Sequence, residues 1–145
     1  MLTLCEGIRS LKPVIQQEKT GCGIASSAAI AGISYPQAKK IANQLGIFAD
    51  DESLWSDTQY IRRLLKSLGK DTSAKEIPFT DWAELPDCAL LAIKWHIEKS
   101  KPYWHWVVFV REGASSYVLD SKKALKNHVR TDFGRMKPKW YIAVE

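Results

Sequence analysis

Helical patterns occupy the first half of this chain and strand patterns the second half, and this division constrains the fold more than any other feature of the sequence. Apolar residues recur at helical spacing in segments 38–45 and 60–68, and the alanine-rich segment 22–31 predicts a further helix. Further along, the pattern changes to short apolar runs at 89–95, 104–110, 117–119 and 140–144. Helices followed by strands predict an α+β fold in which N-terminal helices pack on a C-terminal antiparallel sheet.

The first helical segment carries the most specific local signals. Segment 22–31 is rich in small residues and is followed by Gly32, the residue type that most often ends a helix. Such a helix is expected to pack closely on the sheet. Ser34 and Gln37 form a predicted capping box for the next helix. The first twenty residues, which include Pro13, predict an extended lead-in.

Composition limits the class of protein. With 145 residues, 46% of them hydrophobic, the chain has the size and apolar content of one domain, residues 1–145. A net charge of +5 is compatible with an anionic partner. The basic residues are spread out and form no nucleic-acid-binding signature, so we do not expect nucleic-acid binding. Three cysteines, an odd number, do not indicate a disulfide framework, and no closely spaced metal ligands occur.

The N-terminal sequence and the hydropathy pattern bear on location. The N-terminal segment has no long apolar stretch of the kind found in secretory signals. No apolar run approaches the ~20 residues that span a bilayer. We therefore expect residence in a reducing cytoplasm and no membrane span, while export by a route that needs no signal sequence stays open.

Cys22 is the first candidate for chemistry. It lies between Gly21 and Gly23 at the predicted start of a helix, where unpaired N–H groups and the helix dipole favour an anion such as a thiolate. A thiolate attacks carbonyl carbons, and the two glycines are expected to leave room for a substrate backbone. The alternative interpretation is that Cys22 is a small buried hydrophobic residue, the usual role of a lone cysteine.

His105 is the candidate general base because a carboxylate is expected opposite it. Its strand turns near Glu112 and Gly113, and an even-length loop centred between them places Asp120 directly across from His105. Asp120 would orient the imidazole and leave its other nitrogen for the thiol. An ordinary polar cross-strand pair is the alternative, and a three-residue loop would displace the register. The other two histidines have no obvious carboxylate opposite them.

A glutamine upstream of Cys22 is the candidate oxyanion donor. Gln16 precedes the cysteine by six positions, and a side-chain amide there can donate to a developing oxyanion beside the Cys22 backbone N–H. Gln17 is adjacent, and the residues alone leave it open as the donor instead.

Four motifs occur in a recognisable order along nearly the whole chain. Gln16 begins a Gln-x5-Cys-Gly sequence with Cys22, and Pro86 introduces a strand pattern. His105 precedes a short hydrophobic run, and Asp120 follows about one hairpin later. Together these motifs resemble the bacteriocin-processing (double-glycine leader) cysteine peptidases and their stand-alone relatives, members of the papain-like superfamily.

The resemblance implies a papain-like cysteine peptidase that cleaves a peptide or related amide bond, with a peptide or protein substrate and no metal or organic cofactor. It assigns catalytic roles to four residues: Cys22 as nucleophile, His105 as general base, Asp120 as its orienter and Gln16 as oxyanion donor. Two departures bear on substrate preference. Gly21 stands where family members often have an acidic residue, and Ser121 stands where they often have proline.

Two other functions fit the same residues. One is a peptidoglycan amidase or toxin-like effector with the same triad, whose positive charge would suit anionic murein. The other is a non-catalytic peptide-binding module of the same fold, which the presence of all four catalytic groups disfavours. The sequence leaves the substrate, the cleavage site and the oligomeric state open.

Overall fold

The three predicted helices and four predicted strands follow one another in the predicted order in the computed structural model, which describes residues 11–145. Two short strands, at 77–78 and 129–130, and a short helix at 133–136 were not predicted. Residues 11–16 form neither helix nor strand, as expected for that part of the lead-in. The first ten positions of the lead-in, with Cys5 among them, lie outside the described residues.

Four helices form in the described part of the chain: α1 (Cys22–Ala31), α2 (Tyr35–Gln44), α3 (Gln59–Ser67) and α4 (Phe133–Met136). Gly32 ends α1 with a φ of 72°, a left-handed conformation that costs glycine little. Ser34 and Gln37 form the predicted capping box at the start of α2. No helix within residues 11–145 is long and apolar enough to cross a membrane.

One antiparallel sheet of six strands, in the order β1-β6-β2-β3-β4-β5, makes up the rest of the fold. The strands are β1 (Ile77–Pro78), β2 (Cys88–Glu98), β3 (Lys101–Glu112), β4 (Ser115–Leu119), β5 (Val129–Arg130) and β6 (Trp140–Ala143). The fold class is therefore α+β, as the sequence predicts. Strands β2 and β3 extend beyond the apolar runs from which they were predicted. The added residues lie at the exposed end of the hairpin, around Lys99, where no apolar pattern marks the strand.

The alternation of side chains along β3 separates two buried clusters. One cluster joins α1 and α3 to even-numbered positions of β3, and includes Ala29, Ile61, Leu65, Trp106 and Val108. The other joins odd-numbered positions of β3 to residues outside α1, α2 and α3, and includes Leu91, Val107, Phe109, Val118 and Met136. Helix α1 can approach the sheet closely because its buried face consists largely of alanine and serine.

The β3–β4 hairpin turns one residue later than the sequence predicted. Glu112 pairs with Ser115, which leaves the two-residue loop 113–114. The first loop residue is a glycine with a φ of 62°, which suits a type II′ turn. The prediction that His105 and Asp120 stand directly opposite each other is therefore wrong by two residues. An even offset preserves the side-chain alternation and makes the two residues diagonal neighbours on one side of the strands.

Candidate active site

Cys22 is the first residue of α1 and lines a cavity of about 190 Å³. We call this space the aromatic cavity, because five aromatic side chains and His105 line it with Cys22; the five are Trp55, Tyr60, Tyr103, Trp104 and Trp106. The first turn of a helix leaves backbone N–H groups without intrahelical partners, and the N-cap residue here, Gly21, has no side chain to occupy them. These N–H groups and the helix dipole favour negative charge at the position of the Cys22 sulfur.

His105 faces both of the groups that a general base needs. Its Nε2 atom lies 2.8 Å from Oδ1 of Asp120, so the predicted contact is present although the strands are offset. Burial disfavours the charged ring and acts to lower the pKa of His105. Hydrogen bonds and electrostatic interactions with Asp120 and Cys22 outweigh burial and raise this pKa to about 9. Because Asp120 engages Nε2, Nδ1 is the ring nitrogen left for Cys22.

The Asp120 carboxylate is held from several directions. Its exposed fraction is only 1%, so every bond it makes is shielded from water. Oδ1 also accepts the backbone N–H of Lys122 at 3.0 Å, and Oδ2 accepts Nη1 of Arg130 at 2.9 Å. Burial acts to raise the pKa of Asp120, but the bonds and charges of His105, Lys122 and Arg130 hold it well below its usual range. The carboxylate is therefore ionised and fixed, as an orienting group requires.

Arg130 is a member of this site that sequence reasoning missed. It lies on β5, which pairs with β4 and so brings Arg130 beside Asp120. Its Nε and Nη2 atoms also donate to the two carboxylate oxygens of Asp132 at 2.9 and 2.7 Å. The only sequence signal was a charged pair two positions apart, and a strand of two residues is too short to show a period.

The aromatic wall of the cavity is fixed by a hydrogen bond and by ring packing. The indole N–H of Trp106 donates to the Tyr60 hydroxyl at 3.1 Å. Burial, followed by the negative charge of Cys22, raises the pKa of Tyr60, so the hydroxyl stays protonated. Trp104 and Trp140 pack edge-to-face at a centroid distance of 4.9 Å, and both contact the Trp106 ring in the same manner. The tryptophans beside His105 therefore form cavity wall and core.

The two glycines around Cys22 make room for tyrosines of the protein itself. A Cβ on Gly21 would lie 2.2 Å from the Tyr35 hydroxyl, and a Cβ on Gly23 would lie 2.2 Å from the Tyr60 hydroxyl. Both glycines are buried. The sequence predicted that these glycines leave room for a substrate backbone. In the structure, the space that a side chain would need at each glycine is filled by a tyrosine of the protein itself.

Replacing Gly23 with alanine is expected to destabilise the protein by about 1–3 kcal/mol, the usual cost of overpacking a tight site. The added methyl group would meet both the hydroxyl and ring carbons of Tyr60. Urea unfolding measures the change. Gly134→Ala is the matched control, because a Cβ there meets nothing within 4 Å, and it should leave the free energy of unfolding nearly unchanged. Equal effects of the two substitutions would contradict this packing.

Gln16 is buried and fastens the loop that precedes Cys22. Its Oε1 accepts the Ser121 hydroxyl at 2.7 Å, and its backbone N–H donates to the Ser121 carbonyl at 3.0 Å. Its Nε2 donates to the carbonyls of Glu18 at 3.0 Å and Lys19 at 2.8 Å. The side chain therefore ties the end of β4 to the loop before the nucleophile candidate, and its amide protons point at carbonyls of that loop.

Three other polar candidates are not brought into the aromatic cavity. Gln17 is exposed. His96 is also exposed, and its Nε2 lies 2.8 Å from the Glu98 carboxylate. Glu98 lies two positions further along the same strand and not on the neighbouring strand. His128 does not line the aromatic cavity, and its Nδ1 lies 2.8 Å from the Asp120 backbone carbonyl. His105 is therefore the histidine that lines the cavity with Cys22.

Cys88, a second cysteine of the described chain, has different surroundings. It is half-buried at the start of β2 and lines a separate cavity of about 460 Å³. Burial raises the pKa of its thiol to about 11, against a smaller opposing effect of Lys70. At neutral pH Cys88 is therefore a protonated thiol with low reactivity.

No protein-family model matches the chain, and no curated protein is significantly similar to it. Within residues 11–145, no group of three or more His, Cys, Asp or Glu side chains is arranged to hold a metal ion. A function is therefore inferred mainly from the geometry of the site.

The raised pKa of His105 predicts that the free energy of unfolding depends on pH. The ring titrates near 6.5 in an unfolded chain and at about 9 in the folded protein. The folded state thus holds this proton more tightly, so the stabilisation is fully present below about pH 6.5 and is lost as the pH rises through about 9.

Urea unfolding on either side of this window measures the effect. His105→Gln should remove most of the pH dependence, whereas His96→Gln, the same change on an exposed histidine, should retain it. A pH dependence that survives His105→Gln would show that His105 is not the titrating group.

Proposed function

We propose that this chain is a cysteine hydrolase of papain-like fold that cleaves a peptide or related amide bond. The observation that carries the proposal is the position of the His105 ring, which bonds to the buried Asp120 carboxylate through Nε2 and interacts with Cys22 at the start of α1. A nucleophile, a base and an orienting group in this order form the arrangement that activates a thiol.

The proposed reaction proceeds from the pair in which the Cys22 proton already resides on His105, whose raised pKa keeps the ring protonated. The thiolate attacks the substrate carbonyl carbon, and a C–S bond forms as the carbonyl oxygen becomes an oxyanion. His105 then gives its proton to the departing amine nitrogen as the C–N bond breaks. Water, activated by the same ring, hydrolyses the thioester and restores the thiol. Asp120 remains ionised throughout and stabilises the imidazolium.

The proposed oxyanion donors are the backbone N–H of Cys22 and the side-chain amide of Gln16. The Cys22 N–H lies in the first turn of α1, where it lacks an intrahelical acceptor. Gln16 is buried in the loop before Cys22, whereas Gln17 is exposed, which favours Gln16. To donate, the amide must turn one N–H away from the carbonyl of Glu18 or Lys19.

The papain-like assignment has two supports. The first is the resemblance of the Gln, Cys, His and Asp motifs in chain order to the double-glycine leader peptidases. The second is that a helix beginning at Cys22 packs on an antiparallel sheet whose strands carry His105 and lead to Asp120. A helix terminus supplies the nucleophile and the sheet supplies its base and orienter, so each group is held by a different element.

A proteome-derived peptide library tests the proposal, because it offers many sequences at once and requires no chosen substrate. The full chain should generate new peptide N-termini, which mass spectrometry detects after amine labelling. Cys22→Ala should abolish them, and Cys88→Ala, the same change at the other described cysteine, should not. Purified peptidoglycan fragments, tested in parallel, would reveal an amidase of the cell wall instead. Products that persist in Cys22→Ala, or none with either substrate, would overturn the proposal.

A further inference from the structure

A second cavity, of about 440 Å³, shares His105 and Lys19 with the aromatic cavity. It is defined here as the basic cavity, because four lysines line it together with the catalytic candidates Gln16 and His105; the four are Lys19, Lys94, Lys122 and Lys123. Cys22 does not line this space, whereas it does line the aromatic cavity. His105 thus lines both an aromatic space that contains the thiol and a space lined by lysines.

The positive charge of the basic cavity is not balanced by the protein. None of its four lysines forms an ion pair with a residue in the described part of the chain. Glu18 also lines the cavity, but its carboxylate pairs with the Lys39 ammonium and accepts the Tyr35 hydroxyl. The buried Asp120 carboxylate is likewise occupied, by His105 and Arg130.

Lys94 is an exposed lining residue of the cavity and has an unusual backbone conformation. Its φ is 56°, a left-handed conformation that is unfavourable for a residue with a Cβ. It lies where the β2–β3 register shifts between Ile93 and His96, and such a bulge re-aims a side chain. Burial, and then the neighbouring Lys122, lowers the pKa of Lys94. The fold therefore keeps two repelling cations together at this position, and an anion between them would relieve the repulsion.

We propose that the basic cavity binds a carboxylate of the substrate on the leaving-group side of the scissile amide. His105 must reach the departing amine to protonate it, so the leaving segment lies beside the ring and within reach of the basic cavity that the ring lines. The preferred substrate class is then a peptide with an acidic side chain, or a free C-terminal carboxylate, after the cleaved bond. This inference rests on the proposed function, because a leaving-group subsite requires cleavage at Cys22.

Binding of short peptides tests the charge of the cavity independently of cleavage. Acetyl-triglutamate amide supplies side-chain carboxylates, acetyl-triglutamine acid supplies only a terminal one, and acetyl-triglutamine amide supplies none. Calorimetric titration into the full chain at low ionic strength should show binding of at least one of the first two and none of the third. The peptide that binds identifies the source of the carboxylate.

Two charge-matched variants locate the binding. Lys94→Gln with Lys122→Gln should weaken it by roughly tenfold or more, and the Lys122 backbone N–H that holds Asp120 is unaffected by this change. Lys40→Gln with Lys66→Gln removes the same charge from positions that are equally exposed but line neither cavity, and should leave the affinity unchanged. Equal weakening by both variants, or no binding of either carboxylate peptide, would overturn the subsite.

The library digest separates this inference from the proposed function. Acidic residues or chain ends should be enriched after the cleaved bonds, and the enrichment should disappear in the Lys94→Gln, Lys122→Gln variant. Cleavage at Cys22 without such enrichment would overturn the subsite and leave the hydrolase intact. Absence of cleavage, with carboxylate binding retained, would overturn the hydrolase and with it the leaving-group assignment.

Discussion

His105→Ala is expected to reduce peptide cleavage by roughly a thousandfold or more, the scale of a lost general acid–base group. Both proton transfers in the proposed reaction use this ring, first from the Cys22 thiol and then to the leaving amine. The ring is also the group through which Asp120 reaches the thiol, since their contact is the 2.8 Å bond to Nε2. Steady-state cleavage of the best peptide found in the library digest measures the loss.

Asp120→Asn refines this prediction. The variant should fold, because Arg130 keeps its two bonds to Asp132 and the backbone of Lys122 keeps an oxygen acceptor. Cleavage should fall by a smaller factor than in His105→Ala, because β3 still positions the ring. His96→Ala, a change at an exposed histidine, should leave cleavage unaffected. Cleavage that survives in His105→Ala would contradict the assignment of His105 as the base.

Gln16→Ala is expected to lower cleavage about a hundredfold, the scale seen when one oxyanion donor is removed. It should also reduce the free energy of unfolding by about 1–3 kcal/mol, because buried partners of its amide lose their hydrogen bonds. The two effects must be separated. Cleavage is therefore expressed per folded molecule, with the folded fraction taken from circular dichroism under the assay conditions.

Gln17→Ala is the matched control for this measurement. The residue is adjacent and exposed, so the same substitution should change neither stability nor cleavage. Loss of stability in Gln16→Ala with normal cleavage per folded molecule would mean that Gln16 only fastens the loop before Cys22. Loss of cleavage in Gln17→Ala alone would transfer the oxyanion role to that residue.

Local features of the sequence predicted much of the scaffold. The run of small residues gave helix α1 with its observed bounds, Cys22–Ala31, because a glycine in the left-handed conformation ends it. The capping box at Ser34 was equally readable, since it depends on side chains only three positions apart. The contact between His105 and Asp120 was predicted because sheet alternation survives an error of two residues in the register.

Features that depend on distant parts of the chain were not predictable. The packing of Tyr35 and Tyr60 against Gly21 and Gly23 arises from helices that meet only in the folded state. Arg130 reaches the site through a strand of two residues, too short for any periodic signal. The basic cavity likewise gathers lysines from loops and strands that are far apart in sequence, so their dispersal along the chain concealed it.

The alkylation rate of Cys22 at mildly acidic pH tests the central claim most directly. A Cys22 sulfur paired with a protonated His105 should react with iodoacetamide much faster than a thiol without such a partner at the same pH. Mass-spectrometric peptide mapping after brief treatment should show Cys22 labelled roughly a hundredfold faster than Cys88, and His105→Ala should slow Cys22 by roughly tenfold or more. Equal labelling of Cys22 and Cys88 in the native chain would contradict an activated nucleophile at Cys22.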